Sequence, residues 1–188
     1  MKLSILVCSV NNRVKTFLPN VLSKLTEQSE KYDDVEIITL VDNKKIVLGD
    51  KRNMLINIAS GEYVVFVDDD DDVSHDYIDT IYQSINDGTD VVTFTVNVSL
   101  NESKYKPCYY SKDFMHDYDT DDAYYRLPNH IMCIKRDLCL QTPYRPLLRG
   151  EDAEFSRELL PKINTEKTVD KVIYFYNFNQ QTTETQRV

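Results

Sequence analysis

Apolar patterns of two different periods alternate through the first half of the chain, and they restrict the folds open to it. Short runs rich in β-branched and aromatic residues predict buried strands, over residues 3–8, 35–41, 63–67 and 91–98. Between these runs, apolar residues recur at spacings of three and four, which predicts amphipathic helices over 14–25, 49–59 and 76–85. Strands that alternate with helices indicate an α/β fold, with a mostly parallel central sheet flanked by helices.

The second half of the chain is less regular. We expect strands over 130–135 and 172–178, a helix over 151–160, and a solvated loop rather than a cation site in the Asp- and Tyr-rich segment 113–122. The sequence contains no internal repeat and no linker-like composition. We therefore predict one domain over residues 1–188, with 1–98 and 99–188 as its two halves.

The composition restricts the binding partners and the cellular location that we expect for the protein. Its net charge of −9 argues against a surface that binds polyanions over its whole extent. No apolar stretch reaches the length of a membrane span, and the run from Leu3 to Val10 is too short for a signal-peptide core. The four cysteines lack metal-ligand spacing, so we expect buried, reduced thiols. These features predict a soluble, cytoplasmic protein without stable membrane insertion.

Five consecutive aspartates, residues 68–72, directly follow the predicted strand 63–67. Carboxylates this close cannot all ionise at low cost, so a neutralising partner is needed. A divalent cation with hard oxygen ligands, which keeps open positions for substrate phosphates, meets that need. The alternative is an acidic turn in which Asp72 or Ser74 caps the next helix. Polar residues also follow the first two strands, at 9–13 and 42–43, and the carboxyl ends of parallel strands line one crevice.

Four segments, taken in order, resemble the nucleotide-sugar-dependent glycosyltransferases of the GT-A type, most of all the inverting family 2. Residues 4–13 resemble the opening strand and nucleotide-binding turn, and 36–43 resemble the second strand with its terminal aspartate. Residues 49–71 resemble the helix, third strand and DXD motif, and Gly150-Glu151-Asp152 resembles the later ED motif. The resemblance implies the GT-A, nucleotide-diphospho-sugar transferase fold, which is Rossmann-like.

The resemblance further implies a metal-dependent enzyme that moves a sugar, a hexose, from a UDP-sugar to an acceptor hydroxyl with inversion. Mn²⁺ or Mg²⁺ would be held by Asp70, with Asp68 facing the ribose or the metal shell. Asp69 and Asp71 have weaker claims, because a run of five leaves the register open. Asp42 would accept hydrogen bonds from the nucleobase or ribose. The other residues that the resemblance assigns to the nucleotide-sugar are Ser9, Asn11, Arg13, Lys51, Arg52 and Asp69.

The basic residues and the proposed base each have an alternative, purely structural interpretation. Arg13, Lys51 and Arg52 are candidates to balance phosphate charge, but basic residues of this kind are also common as solvated surface charges. An inverting transfer needs a general base that deprotonates the acceptor hydroxyl. The resemblance points to Asp152 for that role, with Glu151 contacting the acceptor or orienting the loop. The alternative is that acidic residues are favoured at a helix N-terminus by the helix dipole.

The sequence also departs from the family pattern. The turn 9–12 lacks the common proline and aromatic pair, and no tryptophan precedes the ED motif. Many relatives carry a late histidine as an extra metal or phosphate ligand, whereas the last histidine here is His130. Asn177 and Asn179 lie in the corresponding region and are the candidate substitutes.

Basic residues are concentrated just before the ED motif. Between 126 and 149 there are five of them and one acid. This favours an anionic acceptor, such as a hydroxylated base in nucleic acid or another polyanion, bound by Arg149, Arg145 and Arg136. The alternative is that these arginines form structural ion pairs. Two other functions stay open: a nucleotidyltransferase, although the first turn lacks the usual glycines, and a non-catalytic module that binds sugar-nucleotide or cation.

Overall fold

The computed structural model describes residues 1–85, 88–101, 103–147 and 149–182, and a mixed β-sheet runs through this part of the chain. The strands are β1 Leu3–Val10, β2 Val35–Asp42, β3 Tyr63–Phe66, β4 Asp72–Val73, β5 Val91–Leu100, β6 Lys106–Tyr110, β7 Tyr118–Asp119, β8 Tyr124–Arg126, β9 Cys133–Lys135 and β10 Glu166–Phe178. The helices are α1 Leu18–Ser29, α2 Leu48–Ile58, α3 Tyr77–Ser84, α4 Arg136–Leu140 and α5 Glu151–Leu159.

The sheet has the order β2-β1-β3-β9-β5-β6-β8-β7, and β10 pairs with β5 and with β4. Its long pairs, β1 with β2 and β5 with β10, are parallel. The short strand β9 is inserted antiparallel between β3 and β5. The predicted α/β fold with a mostly parallel sheet is therefore confirmed, and the antiparallel pairs make the sheet mixed.

Several predicted elements have different bounds in the structure, among them the helix predicted over 14–25, which spans Leu18–Ser29. The predicted strand 130–135 is a strand only from Cys133, and the last strand begins at Glu166 rather than at residue 172. The segment 113–122 contains the short strand β7, which pairs with β8. β9 and β10 depend on pairing with distant strands, so their limits are not visible in the local apolar pattern, whereas β7 pairs with the nearby β8.

The core lies on both sides of the central strands. β1 is buried along its whole length, and α1 packs with α3 while α2 packs with α4 and α5. Gly61 allows a close approach there: a Cβ at this position would lie 2.6 Å from the backbone nitrogen of Ser4. The four cysteines are buried and free, as predicted. Among the described residues, no helix combines the length and apolar character needed to cross a bilayer.

The strand ends converge as the sequence predicts. β1 and β2 run in register to the pair Val10 and Asp42, where both strands end. β3 pairs with β1 as far as Phe66 and Leu6, and the backbone N–H of Val67 donates to the carbonyl of Leu6. The aspartate run therefore begins at the same edge of the sheet as the polar ends of β1 and β2.

Candidate active site

The five aspartates have different partners, so their carboxylates have different positions and charges. The carboxylate of Asp71 is buried and accepts a hydrogen bond from the Tyr174 hydroxyl at 2.7 Å and one from the Asn177 backbone N–H at 2.8 Å. Burial, with the charges of Asp68 and Asp70, raises the pKa of Asp71 well above its usual value. Asp71 thus attaches the run to β10, and this attachment turns its side chain toward the protein.

Asp72 lies outside the crevice. Its carboxylate forms an ion pair with Lys24 and accepts the backbone N–H of Val73. Helix α3 begins at Tyr77 with Asp76 as its N-cap residue. The alternative that Asp72 or Ser74 caps this helix is therefore wrong.

Arg13 joins the next two carboxylates. Its guanidinium binds the carboxylate of Asp69 through Nη1 and that of Asp70 through Nη2, the latter at 3.0 Å. Asp69 also accepts the Ser9 hydroxyl at 2.6 Å. Burial raises the pKa of Asp70 to about 6, and Arg13 opposes this rise without cancelling it. One guanidinium is thus shared between the carboxylates of Asp69 and Asp70.

Asp68 contacts a histidine that the sequence did not connect with it. Nε2 of His130 lies 3.3 Å from Oδ2 of Asp68, and the His130 ring is buried. Nη2 of Arg52 lies 3.7 Å from the other carboxylate oxygen, and the backbone N–H of Asp68 donates to the Tyr174 hydroxyl at 3.1 Å. Although burial alone raises the pKa of Asp68, His130 and Arg52 hold it below its usual value. Asp68 is thus ionised and fixed in place.

Arg52 connects the aspartate run to the ED motif. Its side chain is 2% exposed, and Nη1 donates to Oε1 of Glu151 at 2.9 Å while Nη2 faces Asp68. The guanidinium lies over the rings of Phe66 and Tyr144, at 5.8 and 5.4 Å from their centroids. Two motifs more than 80 residues apart therefore share one buried cation.

Asp42 and Lys51 form a second buried network at the end of β2. The carboxylate of Asp42 accepts the backbone N–H groups of Lys45 and Ile46, at 2.6 and 2.9 Å, and pairs with Lys51. Although burial raises it, these contacts hold the pKa of Asp42 below its usual value. The Lys51 ammonium also donates to the carbonyl of Ser9 at 2.9 Å. β1 and β2 are thereby tied together beside the turn that follows β1.

The sequence-predicted basic residues of the donor site are buried. Arg13 is 6% exposed, Lys51 4% and Arg52 2%, so the alternative of solvated surface charges is wrong for all three. Asn11 is exposed, and its amide donates to the side chain of Asn43. The structure thus gathers Ser9, Asn11, Arg13, Asp42, Lys51 and Arg52 around the strand ends, next to Asp68, Asp69 and Asp70.

The ED motif opens α5. Gly150, the N-cap residue, has φ of 75°, a left-handed conformation that glycine adopts without strain. Glu151 is buried against Arg52, whereas Asp152 is partly buried and its Oδ1 accepts only the neighbouring Ala153 N–H, at 2.8 Å, among the contacts that the described residues make. Burial raises the pKa of Tyr176, and the charges of Asp71, Asp68, Asp70 and Asp152 add to this rise. Tyr176 is therefore within electrostatic range of both groups of carboxylates.

The predicted acceptor-binding arginines have separate positions. Arg136 donates to the carbonyls of Ile56 and Asn57, at 2.8 and 3.1 Å, and so covers the C-terminal end of α2. Arg145 is paired with Glu158. Arg149 is exposed and has no recorded partner among the described residues. The basic concentration between 126 and 149 is thus mostly used in structural contacts, because Arg126 and Lys135 also pair with acids.

The candidate substitutes for a late histidine, Asn177 and Asn179, make side-chain hydrogen bonds with other parts of the described chain. The backbone N–H of Asn177 binds Asp71, while its side-chain oxygen accepts the Tyr105 hydroxyl at 3.0 Å. The Asn179 side chain accepts the backbone N–H of Gln181 at 2.9 Å. His130 is instead the histidine that contacts the aspartate run, from a position earlier in the chain.

The donor atoms suit a hard divalent cation. In the described part of the chain no three His, Cys, Asp or Glu side chains stand ready as a metal site. Mg²⁺ is commonly held by one or two carboxylates, with substrate phosphates and water as the other ligands. Asp68 and Asp70 supply two such carboxylates. The pKa of Asp70 is raised mainly by its burial, with a smaller contribution from the charges of Asp68 and Asp69. The site therefore fits a metal that binds together with a diphosphate.

Comparison with known proteins agrees with this site. Residues 47–136, which include α2, the aspartate run and β9, match the model of glycosyl transferase family 2. The match shows a resemblance of these residues, just under half of the chain, to glycosyl transferase family 2, within a fold of the GT-A type. Comparison with curated proteins by sequence gives no match.

Solved structures show the same fold at low sequence identity. S. aureus TarS 1-349 in complex with UDP-GlcNAc is 17% identical with a TM-score of 0.71, over 100% of this chain and 61% of that one. Its complex with UDP is 19% identical with a TM-score of 0.68, over 96% and 62% of the two chains. The protein A197 from STIV is 18% identical with a TM-score of 0.55, over 96% and 87%. The chain thus spans about three fifths of the TarS fragment.

Proposed function

We propose that the chain transfers a sugar, a hexose, from a UDP-sugar to an acceptor hydroxyl with inversion at the anomeric carbon. The observation that carries this proposal is the Arg52 network, which joins Asp68 of the aspartate run to Glu151 of the ED motif. A donor bound at the strand ends would then lie beside the residue proposed as the base. The structural likeness to a TarS complex with UDP-GlcNAc supports a UDP-sugar as donor.

The strand ends supply the groups that bind the nucleotide. We assign Asp42, Ser9 and Asn11 to the nucleobase and ribose, because they lie where β1 and β2 end. Asp68 and Asp69, which follow the neighbouring strand β3, are assigned to the same ligand. Lys51 and Arg52 are buried and paired with Asp42 and Glu151. We infer that they balance the charge of these carboxylates and hold them in place. On this assignment residues 1–98 bind the donor, and 99–188 supply the base and the acceptor side.

We assign Asp70 and Asp68 as the residues that would hold Mn²⁺ or Mg²⁺ with the donor diphosphate. Such an ion supplies Lewis-acid stabilisation of the charge that develops on a leaving diphosphate. Asp71 is excluded as a ligand by its bonds to Tyr174 and Asn177. Nε2 of His130 contacts the carboxylate of Asp68 and so orients it. These contacts support the register that places the metal at Asp70.

Asp152 is the proposed general base. Glu151 is committed to Arg52, so its carboxylate serves to fix the start of α5. Asp152 is partly exposed and keeps one carboxylate oxygen clear of its hydrogen bond with Ala153. A carboxylate in this position can take the proton of an acceptor hydroxyl as that hydroxyl attacks the sugar.

The acceptor proposal now depends on fewer residues. Because Arg136 and Arg145 have structural partners, an anionic acceptor would be recognised mainly by Arg149. If the acceptor is a nucleic acid or another polyanion, its binding should weaken steeply with salt. A neutral acceptor would show little dependence on salt.

The direct test is turnover of UDP-sugars. Incubation with UDP-hexoses and Mn²⁺ or Mg²⁺ should release UDP, and EDTA should abolish the release. UDP with metal should also raise the melting temperature. Binding without turnover would favour the non-catalytic module, and release of inorganic pyrophosphate from a nucleoside triphosphate would favour a nucleotidyltransferase.

The same turnover assay tests the assignment of Asp152 as the base. Asp152→Asn should lower turnover by about 10²-fold or more, the usual scale for a general base, while UDP binding is retained. Glu154→Gln is the matched control, because Glu154 lies in the same helical turn and pairs with the exposed Arg157. Full activity in Asp152→Asn would place the base elsewhere.

A further inference from the structure

Arg13 lies between the aspartate run and the C-terminal segment and contacts both. Arg13 ends the short 3₁₀ turn Asn11–Arg13 that follows β1, and it is 6% exposed. Its guanidinium lies over the ring of Phe17, at 5.1 Å from the centroid. Nη1 binds Asp69, whereas Nη2 binds both Asp70 and the carbonyl of Thr182. One planar cation thus joins two carboxylates to the C-terminal segment.

The two carboxylates differ in how strongly they depend on Arg13. Asp69 has a second partner in the Ser9 hydroxyl. For Asp70, Arg13 is the one side-chain partner recorded among the described residues. The oxygen of Asp70 that Arg13 binds belongs to the carboxylate assigned above to the metal. Because like charges repel, a guanidinium and a divalent cation cannot both remain on this carboxylate at low cost.

A guanidinium that leaves a carboxylate needs another anion. Its planar set of N–H donors matches phosphate as well as carboxylate, and such pairs are often bidentate. A metal held by Asp70 brings the donor diphosphate next to Arg13, since such metals are bound partly through substrate phosphates. The incoming ligand thus supplies both the competitor for Asp70 and the new partner for Arg13.

We propose that Arg13 is an exchangeable counter-ion: it neutralises Asp70 in the donor-free protein and moves to the diphosphate when metal and donor bind. The proposal rests on the proposed function. Asp69, which keeps its bond to Ser9, retains the arginine near the site during the exchange. Because the same Nη2 binds Thr182, the exchange also breaks a contact of the C-terminal segment.

The test uses two ligands whose affinities should move in opposite directions. Mn²⁺ binding to Arg13→Gln, measured without nucleotide by electron paramagnetic resonance, should be tighter than in the wild type by about 10-fold. UDP binding at saturating Mn²⁺, measured by calorimetry, should be weaker by about 10-fold. A residue with only a structural role would weaken both. Arg13→Lys keeps the charge but loses the planar donors, so it should leave Mn²⁺ binding near the wild-type value and still weaken UDP binding.

A matched control is available in the same run. Lys24 pairs with Asp72 on the outer side, and Lys24→Gln removes one positive charge without touching Asp69 or Asp70. It should change neither affinity. Unchanged or weaker Mn²⁺ binding in Arg13→Gln overturns the proposal, and if that variant does not fold, loss of Mn²⁺ binding in Arg13→Lys does so. Wild-type protein that binds no Mn²⁺ even with UDP would overturn the proposed function itself.

Discussion

At the scale of single residues, the function of each aspartate is set by its partner. Asp68 faces His130 and Arg52, Asp70 faces Arg13, and Asp71 is bonded to Tyr174. Burial and the neighbouring aspartates raise the pKa of Asp70 against the effect of Arg13, whereas His130 and Arg52 hold the pKa of Asp68 below its usual value. Five chemically identical side chains thus have different surroundings, and the roles proposed for them follow from that difference.

The pKa of Asp70 has a consequence for stability. Its folded-state pKa, about 6, lies above the ordinary 3.8, so the folded metal-free protein binds this proton more tightly than the unfolded chain. The contribution of Asp70 to stability is therefore present below about pH 4 and is lost as the pH rises to about 6. Asp70→Asn should then stabilise the metal-free protein at pH 7.5 by about 1–3 kcal/mol, and by nearly nothing at pH 4.

Urea unfolding at the two pH values, in the presence of EDTA, measures this difference. Asp72→Asn is the control, because it removes an exposed ion pair worth about 0–1 kcal/mol and should give no gain at pH 7.5. An Asp70→Asn variant that is less stable than the wild type at pH 7.5 would contradict the assignment.

These roles could not be read from the sequence. The resemblance placed the site at residues 68–72 and selected Asp70, but the contacts of Asp68 and Asp71 with His130, Tyr174 and Asn177 come from residues 62 to 106 positions away. His130 carries no local signal, since it precedes a short strand in an irregular segment. Arg136 was predicted to bind the acceptor because its charge is visible in the sequence, whereas its bonds to two α2 carbonyls are not.

At the scale of elements, β10 is the support of the aspartate run. The Tyr174 hydroxyl donates to Asp71 and accepts the N–H of Asp68, while the backbone of Asn177 donates to Asp71. The pairing of β10 with β4 continues this support just after the run. The strands of the first half were predictable because their apolar pattern is local. The attachment of the run to β10 was not predictable, because it joins residues more than 100 positions apart.

Removing one hydroxyl tests the support. Tyr174→Phe leaves two buried groups without their partner, so the free energy of unfolding should fall by about 1–3 kcal/mol. The loosened run should also raise the metal concentration needed for half-maximal turnover. Tyr105→Phe is the control: it removes an exposed hydroxyl bound to Asn177, and its effect should stay within about 0.5 kcal/mol. Equal losses in the two variants would show that Tyr174 gives the run no special support.

At the scale of the whole molecule, the fold explains why the two motifs meet. The ends of β1, β2 and β3 place their polar side chains at one edge of the sheet, and α5 packs against α2, which carries Arg52. The family match and the TarS structures have this fold in common with the chain. A buried arginine between Asp68 and Glu151 makes the relative position of the two motifs a property of the core rather than of a surface loop.

The most direct measurement is a crystal structure of the protein with Mn²⁺ and UDP, with the metal located by its anomalous scattering. We predict the manganese signal at Asp70, in contact with both the carboxylate and the diphosphate, with Asp152 facing the open side of the diphosphate. A manganese ion far from Asp70, or a diphosphate bound away from the ends of β1 to β3, would contradict the account.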